Sequence, residues 1–223
     1  MKQHRGIWLP DTDTHFSDHL DKGPEYKGAG TYQFKKIELA LAQIKQWHGA
    51  VDIGAHVGLW SRVLADKFDS LWAFEPVPEL CDCYVRNLAR KLVDRPNPRI
   101  VLHPVALASY EGSTYIDPIP NNSGNACVTT DPTKIKVPLR TLDSFRLYEH
   151  EIDFIKIDVE GFELEVIKGG EETIKRCKPV MVIEQKPGHG QRYGFGERAA
   201  VDLVLTWGAK LLWSRAGDYC LGW

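Results

Sequence analysis

The chain has 223 residues, 43% of them hydrophobic, which suits one sizeable core and predicts a single domain over 1–223. Its formal net charge of −2 gives no overall basic field, which argues against nucleic acid or an anionic membrane surface as a partner. Residues 1–6 run into no apolar core and no run of 18 apolar residues occurs, so neither a signal peptide nor a membrane span is expected.

Residues 1–34, rich in His, Asp, Gly and Pro with scattered aromatics, show no sustained period and read as an irregular N-terminal cap ahead of a core at 35–223. Ile37, Leu41 and Ile44 at helical spacing predict a helix over 35–47. A strand at 50–54, a helix from Gly58 carrying Leu59, Val63 and Leu64, and a strand at 70–75 follow. Pro78 starts the next helix, expected to reach about Leu92 before the breaker at 94–98. Residues 99–107 predict a third strand whose end Pro104 turns out of the ladder. Residues 113–116 and 134–139 read as short strands around the polar loop 121–125.

A buried strand at 153–158, a helix over 163–176, a strand at 180–184, a helix over 197–207 and a closing hairpin at 210–223 complete the pattern. Strands alternating with helices require right-handed parallel crossovers, hence an α/β fold with a doubly wound, mostly parallel sheet. The five cysteines, at 81, 83, 127, 177 and 220, form no C-x-x-C pair, so free thiols and a reducing, cytoplasmic setting are expected.

In such a sheet ligands bind beyond the carboxyl ends of the strands. Those ends carry Asp52 with Gly54, Glu75, the stretch 103–106, Asp158 with Glu160, and Glu184. The first turn reads D-x-G-x-x-x-G, from Asp52 through Gly54 to Gly58, and lacks the G-x-G-x-x-G of a pyrophosphate site. Glu75 stands 21 residues after Gly54 at the end of the next strand, where a carboxylate accepts both hydroxyls of a ribose. A diphosphate would be repelled by so many acids, whereas a sulfonium cation bearing an amino group would be attracted. S-adenosylmethionine therefore fits better than NAD. A nicotinamide-dependent oxidoreductase is the weakest reading, and an idle nucleotide-binding or assembly module is the main alternative.

The segments DIGAHVG, FEP, HPVALA, the Asn-Ser-Gly loop at 122–124, the run 140–143 and above all IKIDVEGFELEVIKGG at 155–170 resemble the FkbM-type methyltransferases, a class I S-adenosylmethionine-dependent group. The resemblance covers roughly residues 50–185 and rests most on its ID-x-EG-x-E segment. It implies a seven-stranded Rossmann-like α/β/α sandwich and methyl transfer to a hydroxyl oxygen of a glycan or small natural-product-like acceptor. It carries Asp52, Gly54 and Gly58 to the methionine side of the cofactor, Glu75 to its ribose and Ala106 to its adenine. His56 and Pro76, inside the same two segments, and Asp158 complete the expected cofactor-binding set. Asp158 and Glu160 would face the methyl group.

A sugar hydroxyl loses its proton only as the new bond forms, so a base is needed, and Asp158, Glu160 and His189 are the candidates. Each has a plainer reading: Asp158 and Glu160 as acids capping the next helix, His189 as an ordinary loop residue. Glu163 reads as a first-turn acid favoured by the helix dipole, His56 as a surface histidine at a helix start, and His103 as a strand histidine satisfied by its neighbours. Asp158, Glu160 and Glu184 could alternatively hold a divalent cation. The loop 121–125, with Gly124 as hinge, is either a lid or an ordinary solvated loop. The sequence does not indicate the oligomeric state.

Overall fold

The computed structural model describes residues 1–89 and 99–223. Two small antiparallel hairpins flank a helix at the start: β1 (Lys2–His4) with β2 (Ile7–Leu9), α1 (His15–Lys22), and β3 (Glu25–Tyr26) with β4 (Ala29–Gly30). Then come α2 (Phe34–Leu41), β5 (Gly49–Ile53), α3 (Leu59–Lys67), β6 (Ser70–Phe74), α4 (Pro78–Ala89), β7 (Arg99–His103) and β8 (Ala106–Leu107). The chain continues through β9 (Gly112–Asp117), β10 (Cys127–Thr129), β11 (Ile135–Arg140), β12 (Phe154–Ile157), α5 (Glu163–Gly169) and α6 (Glu171–Cys177). It closes with β13 (Val180–Glu184), α7 (Ala199–Thr206), β14 (Lys210–Arg215) and β15 (Asp218–Gly222).

Seven strands form one sheet in the order β14-β15-β13-β12-β5-β6-β7. The run from β13 to β7 is parallel, and β15 is antiparallel to both β13 and β14. This is the expected Rossmann-like sheet with its closing antiparallel hairpin. Strand alternation divides the core: Val51, Ile53, Ile155 and Ile157 face α5, α6 and α7, while Ala50, Leu71 and Phe154 face α2 and α3. The result is a three-layer α/β/α sandwich. No helix among the described residues is long and apolar enough to cross a membrane. All five cysteines are free.

The N-terminal cap is not irregular. Its strands are two or three residues long, too short to show a period, yet β2 buries Ile7 and Leu9 and α1 buries Phe16 and Leu20. The helix expected over 35–47 stops at Leu41, where Gln43 and Ile44 donate to carbonyls three residues back. The strand expected over 99–107 divides at Pro104: β7 stays in the main sheet, and β8 pairs with β11 in a second sheet ordered β10-β9-β11-β8. Of these four, β10 carried no sequence expectation. The helix expected over 163–176 breaks because the Asp143 carboxylate accepts the N–H groups of Glu172 and Thr173, at 3.0 and 2.9 Å, and so starts α6 afresh. The end of the helix expected at Leu92 and the breaker at 94–98 lie outside the described residues.

Candidate active site

Strand order reverses between β5 and β12, and the crevice beyond their carboxyl ends holds a cavity of about 240 Å³. Gly54, His56, Glu75, Pro76, Ala106, Asp158, Glu160 and Glu184 line it together, although 130 positions separate the first from the last. Asp52, Gly58 and His189 do not line it.

The first turn is built on Gly54, at φ +70°, whose N–H and that of Ala55 both donate to the Phe74 carbonyl at 3.0 Å. A Cβ on Gly54 would lie 1.8 Å from the Asp158 carbonyl oxygen, so only glycine lets β5 and β12 end side by side. Gly58, at φ +87°, precedes α3, and a Cβ there would strike Leu88 and Tyr84 of α4. It sets helix packing behind the cavity. Asp52 is wholly buried beneath the turn, where it accepts the Ser61 hydroxyl at 2.6 Å and faces Lys156 Nζ at 3.5 Å.

Glu75 is buried at the end of β6, with Oε2 accepting the His56 N–H at 2.8 Å and Oε1 the Val77 N–H at 2.9 Å. Burial pushes this carboxyl up to about 7 against the pull of those two donors. Each oxygen keeps a lone pair for a ligand hydroxyl. His56 is not the surface histidine expected. Its ring packs on Phe16, with centroids 4.4 Å apart, and its Nε2 lies 2.7 Å from Ser123 Oγ. Ser123 gives its hydroxyl proton to Asp13, so His56 Nε2 carries the hydrogen in that pair. Burial lowers the imidazole to about 4, and the ring is neutral. The loop 121–125 is thereby tied to the turn and to the cap.

At the opposite end, ligand oxygens of Asp158, Glu160 and Glu184 lie within 4.8 Å of one another. Burial and the neighbouring Asp158 push Glu184 up to about 9, and it donates to Asp158. Burial opposes ionisation of Asp158 as well, but Lys156, the Glu184 hydrogen bond and Lys186 outweigh it and hold Asp158 below the usual carboxylate range. Lys156 Nζ lies 3.8 Å from Asp158, and Lys186 Nζ lies 2.9 Å from Glu184. These two ammonium groups supply the positive charge a divalent cation would bring, so the donor set does not call for one.

Glu160 holds a left-handed conformation, φ +56°, and its Oε2 lies 3.0 Å from His189 Nδ1. Burial first, then Asp158, pushes its carboxyl up to about 7. His189 therefore stands behind a cavity-lining acid. Glu163 is the structural acid expected: its Oε1 accepts the N–H groups of Val159 and Gly161, at 3.2 and 2.9 Å. His103 packs on Phe74 and Phe145, with centroids 4.9 and 4.5 Å away, as a strand histidine.

Residues 52–207 match the family described as the Methyltransferase FkbM domain. The chain belongs to the FkbM methyltransferase family. This FkbM chain is 31% identical to methyltransferase sdnD of Sordaria araneosa, the match covering 60% of the chain and 64% of that protein. It is 26% identical to the hexuronic acid methyltransferase AglP of Haloferax volcanii, over 66% of the chain and 59% of that protein. It thus spans less than two thirds of the length of these curated relatives. Among solved structures, the FkbM methyltransferase of Methylobacillus flagellatus KT superposes with TM-score 0.53 at 21% identity, covering 81% of this chain and 44% of that one. A precorrin-6y C5,15-methyltransferase from Geobacter metallireducens GS-15 gives TM-score 0.50 at 14% identity, covering 92% and 95%. Both likenesses show the fold.

The FkbM match begins at Asp52, yet His15, Phe16, His19 and Tyr32 of the cap line the same cavity. Of this wall the sequence offered only Tyr32, as an aromatic able to stack on a sugar ring; His15, Phe16, His19 and the two lysines were missed. A signal for Lys156 existed: an ammonium inside an otherwise apolar strand must find partners.

Proposed function

We propose that this chain transfers a methyl group from S-adenosylmethionine to a hydroxyl oxygen of a sugar or small natural-product-like acceptor. The observation that carries this reading is that a single cavity joins the buried, strand-end carboxylate of Glu75 to the acids Asp158 and Glu160. The donor set fits the cofactor, with lone pairs at Glu75 for two ribose hydroxyls, apolar flanks at Pro76 and Ala106 for a base, and the ionised Asp158 for a cationic sulfonium. S-adenosylmethionine supplies a methyl group already activated on sulfur. The protein's task is then to align the acceptor and take its proton. Gly54 and His56 form the turn beneath the cofactor, and Gly58 braces that turn through α4. Asp52, below the surface, is a buried partner of Ser61 and Lys156 and does not reach the cofactor. Glu160 is the base, held by His189, and Asp158 stays ionised to favour positive charge nearby. A hexuronic acid methyltransferase among the relatives supports a sugar acceptor.

Calorimetry with S-adenosylmethionine, S-adenosylhomocysteine and NAD tests the reading. Binding of the first two is expected, and Glu75→Ala should weaken it about 10- to 100-fold through loss of charge-assisted hydrogen bonds. Binding of NAD alone, or unchanged affinity in Glu75→Ala, would overturn it; silence toward all three favours an idle module. Mass spectrometry of extracts incubated with isotopically labelled methyl donor then identifies the acceptor.

A further inference from the structure

Lys156 occupies the centre of β12, between the fully buried Ile155 and Ile157, and is itself only 5% exposed. An ammonium group taken out of water persists only where oxygens surround it. Here Nζ donates to the Gly54 carbonyl at 2.6 Å and more weakly to the Ile53 carbonyl at 3.4 Å. It faces Asp52 Oδ1 at 3.5 Å and Asp158 Oδ2 at 3.8 Å. Asp52 Oδ1 has no hydrogen bond within ordinary distance, so Lys156 is what compensates it. Burial lowers the ammonium's affinity for its proton, but Asp52, Asp158 and Glu184 more than restore it, and the group is charged.

Each contact ties down a different part of the site. The Gly54 carbonyl belongs to the turn at the end of β5, Asp52 to the strand beneath it, and Asp158 to the end of β12. The turn and the end of β12 already touch at the place where Gly54 admits no side chain. From this geometry we infer that Lys156 is a positioning residue: one buried ammonium fixes the glycine turn and the Asp158 carboxylate relative to each other, and so sets the floor on which the cofactor's methionine end rests. The inference rests on the S-adenosylmethionine reading above and assigns a role to a residue outside the D-x-G-x-x-x-G motif.

A simpler role, counter-ion to buried Asp52, would make the same contact, and the two are separable. Wild type, Lys156→Met, Asp52→Asn and the double variant Asp52→Asn/Lys156→Met are compared by thermal unfolding and by calorimetry with S-adenosylhomocysteine. Lys156→Met should lose both stability and affinity, the latter about tenfold or more from the lost charge-assisted bond to Gly54. The double variant removes the stranded Asp52 charge, while Asp158 keeps Glu184 and Lys186 beside it, and should regain much of the stability, because a neutral, well-packed pair replaces a buried ion pair with little cost. Its affinity should stay about tenfold below wild type, while Asp52→Asn alone should stay within about threefold. Recovery of affinity together with stability in the double variant would overturn the proposal, as would equal losses in Asp52→Asn alone or wild-type affinity in Lys156→Met. If Lys156→Met fails to fold, the double variant still decides. Absence of binding to wild type would instead bring down the cofactor reading, and this proposal with it.

Discussion

His189 Nδ1 lies 3.0 Å from Glu160 Oε2, and of the two only Glu160 reaches the cavity. Burial, Arg192 and Lys186 lower the His189 pKa, so the ring is neutral near pH 7 and its Nδ1–H donates to the carboxylate. Glu160 titrates near 7. As a base it must be ionised, so methyl transfer should fall as pH drops through about 7. Glu160→Gln should lower turnover about 10²–10⁴-fold and abolish that limb. His189→Ala removes a donor to the ionised form, so the limb should move to higher pH. A pH profile of labelled-methyl transfer checks both. An unmoved limb in Glu160→Gln would assign the base elsewhere.

Glu163 gives a prediction independent of any acceptor. It is buried away from the cavity, and its pKa is pushed up from 4.5 to about 7, chiefly by burial. The native state therefore binds a proton that the unfolded chain has already released between those values, and stability falls as pH rises through this window. Glu163→Gln keeps an oxygen for the N–H groups of Val159 and Gly161 and removes the ionisation. It should be neutral at pH 4 and stabilising at pH 8, by up to about 3 kcal/mol at 1.36 kcal/mol per pKa unit. Urea unfolding at the two pH values measures the difference, and equal effects at both would contradict the linkage.

Two glycines with nearly equal dihedrals separate backbone strain from contact. Gly54 and Gly28 have φ of +70° and +71°, yet a Cβ at Gly54 meets the Asp158 carbonyl at 1.8 Å while one at Gly28 meets nothing within 4 Å. Gly28→Ala should cost about 1 kcal/mol, the left-handed penalty alone. Gly54→Ala must also push β5 and β12 apart, costing about 3 kcal/mol or more. It should abolish S-adenosylhomocysteine binding. Comparable losses of stability in the two variants would mean that the strand ends give way easily.

How much of this was legible in the sequence follows from the range of the interactions. The buried strands of the main sheet are short apolar runs bounded by turn residues, and their expected limits fall within about two residues of those observed. The acids at their ends follow from topology, since a parallel sheet brings its carboxyl ends to one edge. The link from Asp13 through Ser123 to His56 does not follow, because it spans 110 and 67 positions and joins segments without periodicity. Phe16 against His56 and Tyr32 likewise depends on where α1 comes to rest. Asp52 misled for a simpler reason. On a strand, position 52 shares its face with Gly54 but not its height, and Ser61 and Lys156 claim the carboxylate before it reaches the cavity.

If the proposed methyl transfer is right, that packing of α1 makes the cap the wall that meets the acceptor. His15 and His19 stand one turn apart on α1 with ring centroids 4.2 Å apart, and His19 also meets Tyr32 edge to face at 5.4 Å. All three line the cavity, and all lie before the first residue of the FkbM match. A wall outside the shared domain is free to differ between relatives that keep the same cofactor end, and two imidazoles beside a phenol offer both hydrogen bonds and flat faces to a hydroxylated ring. His15→Ala and His19→Ala should therefore raise the KM for the acceptor about tenfold each, with S-adenosylhomocysteine affinity held within about twofold, because only ground-state contacts to the acceptor are removed. Steady-state kinetics on the labelled product, alongside calorimetry, make the comparison. A parallel fall in S-adenosylhomocysteine affinity would move this wall to the cofactor and leave the acceptor to the loop at 121–125.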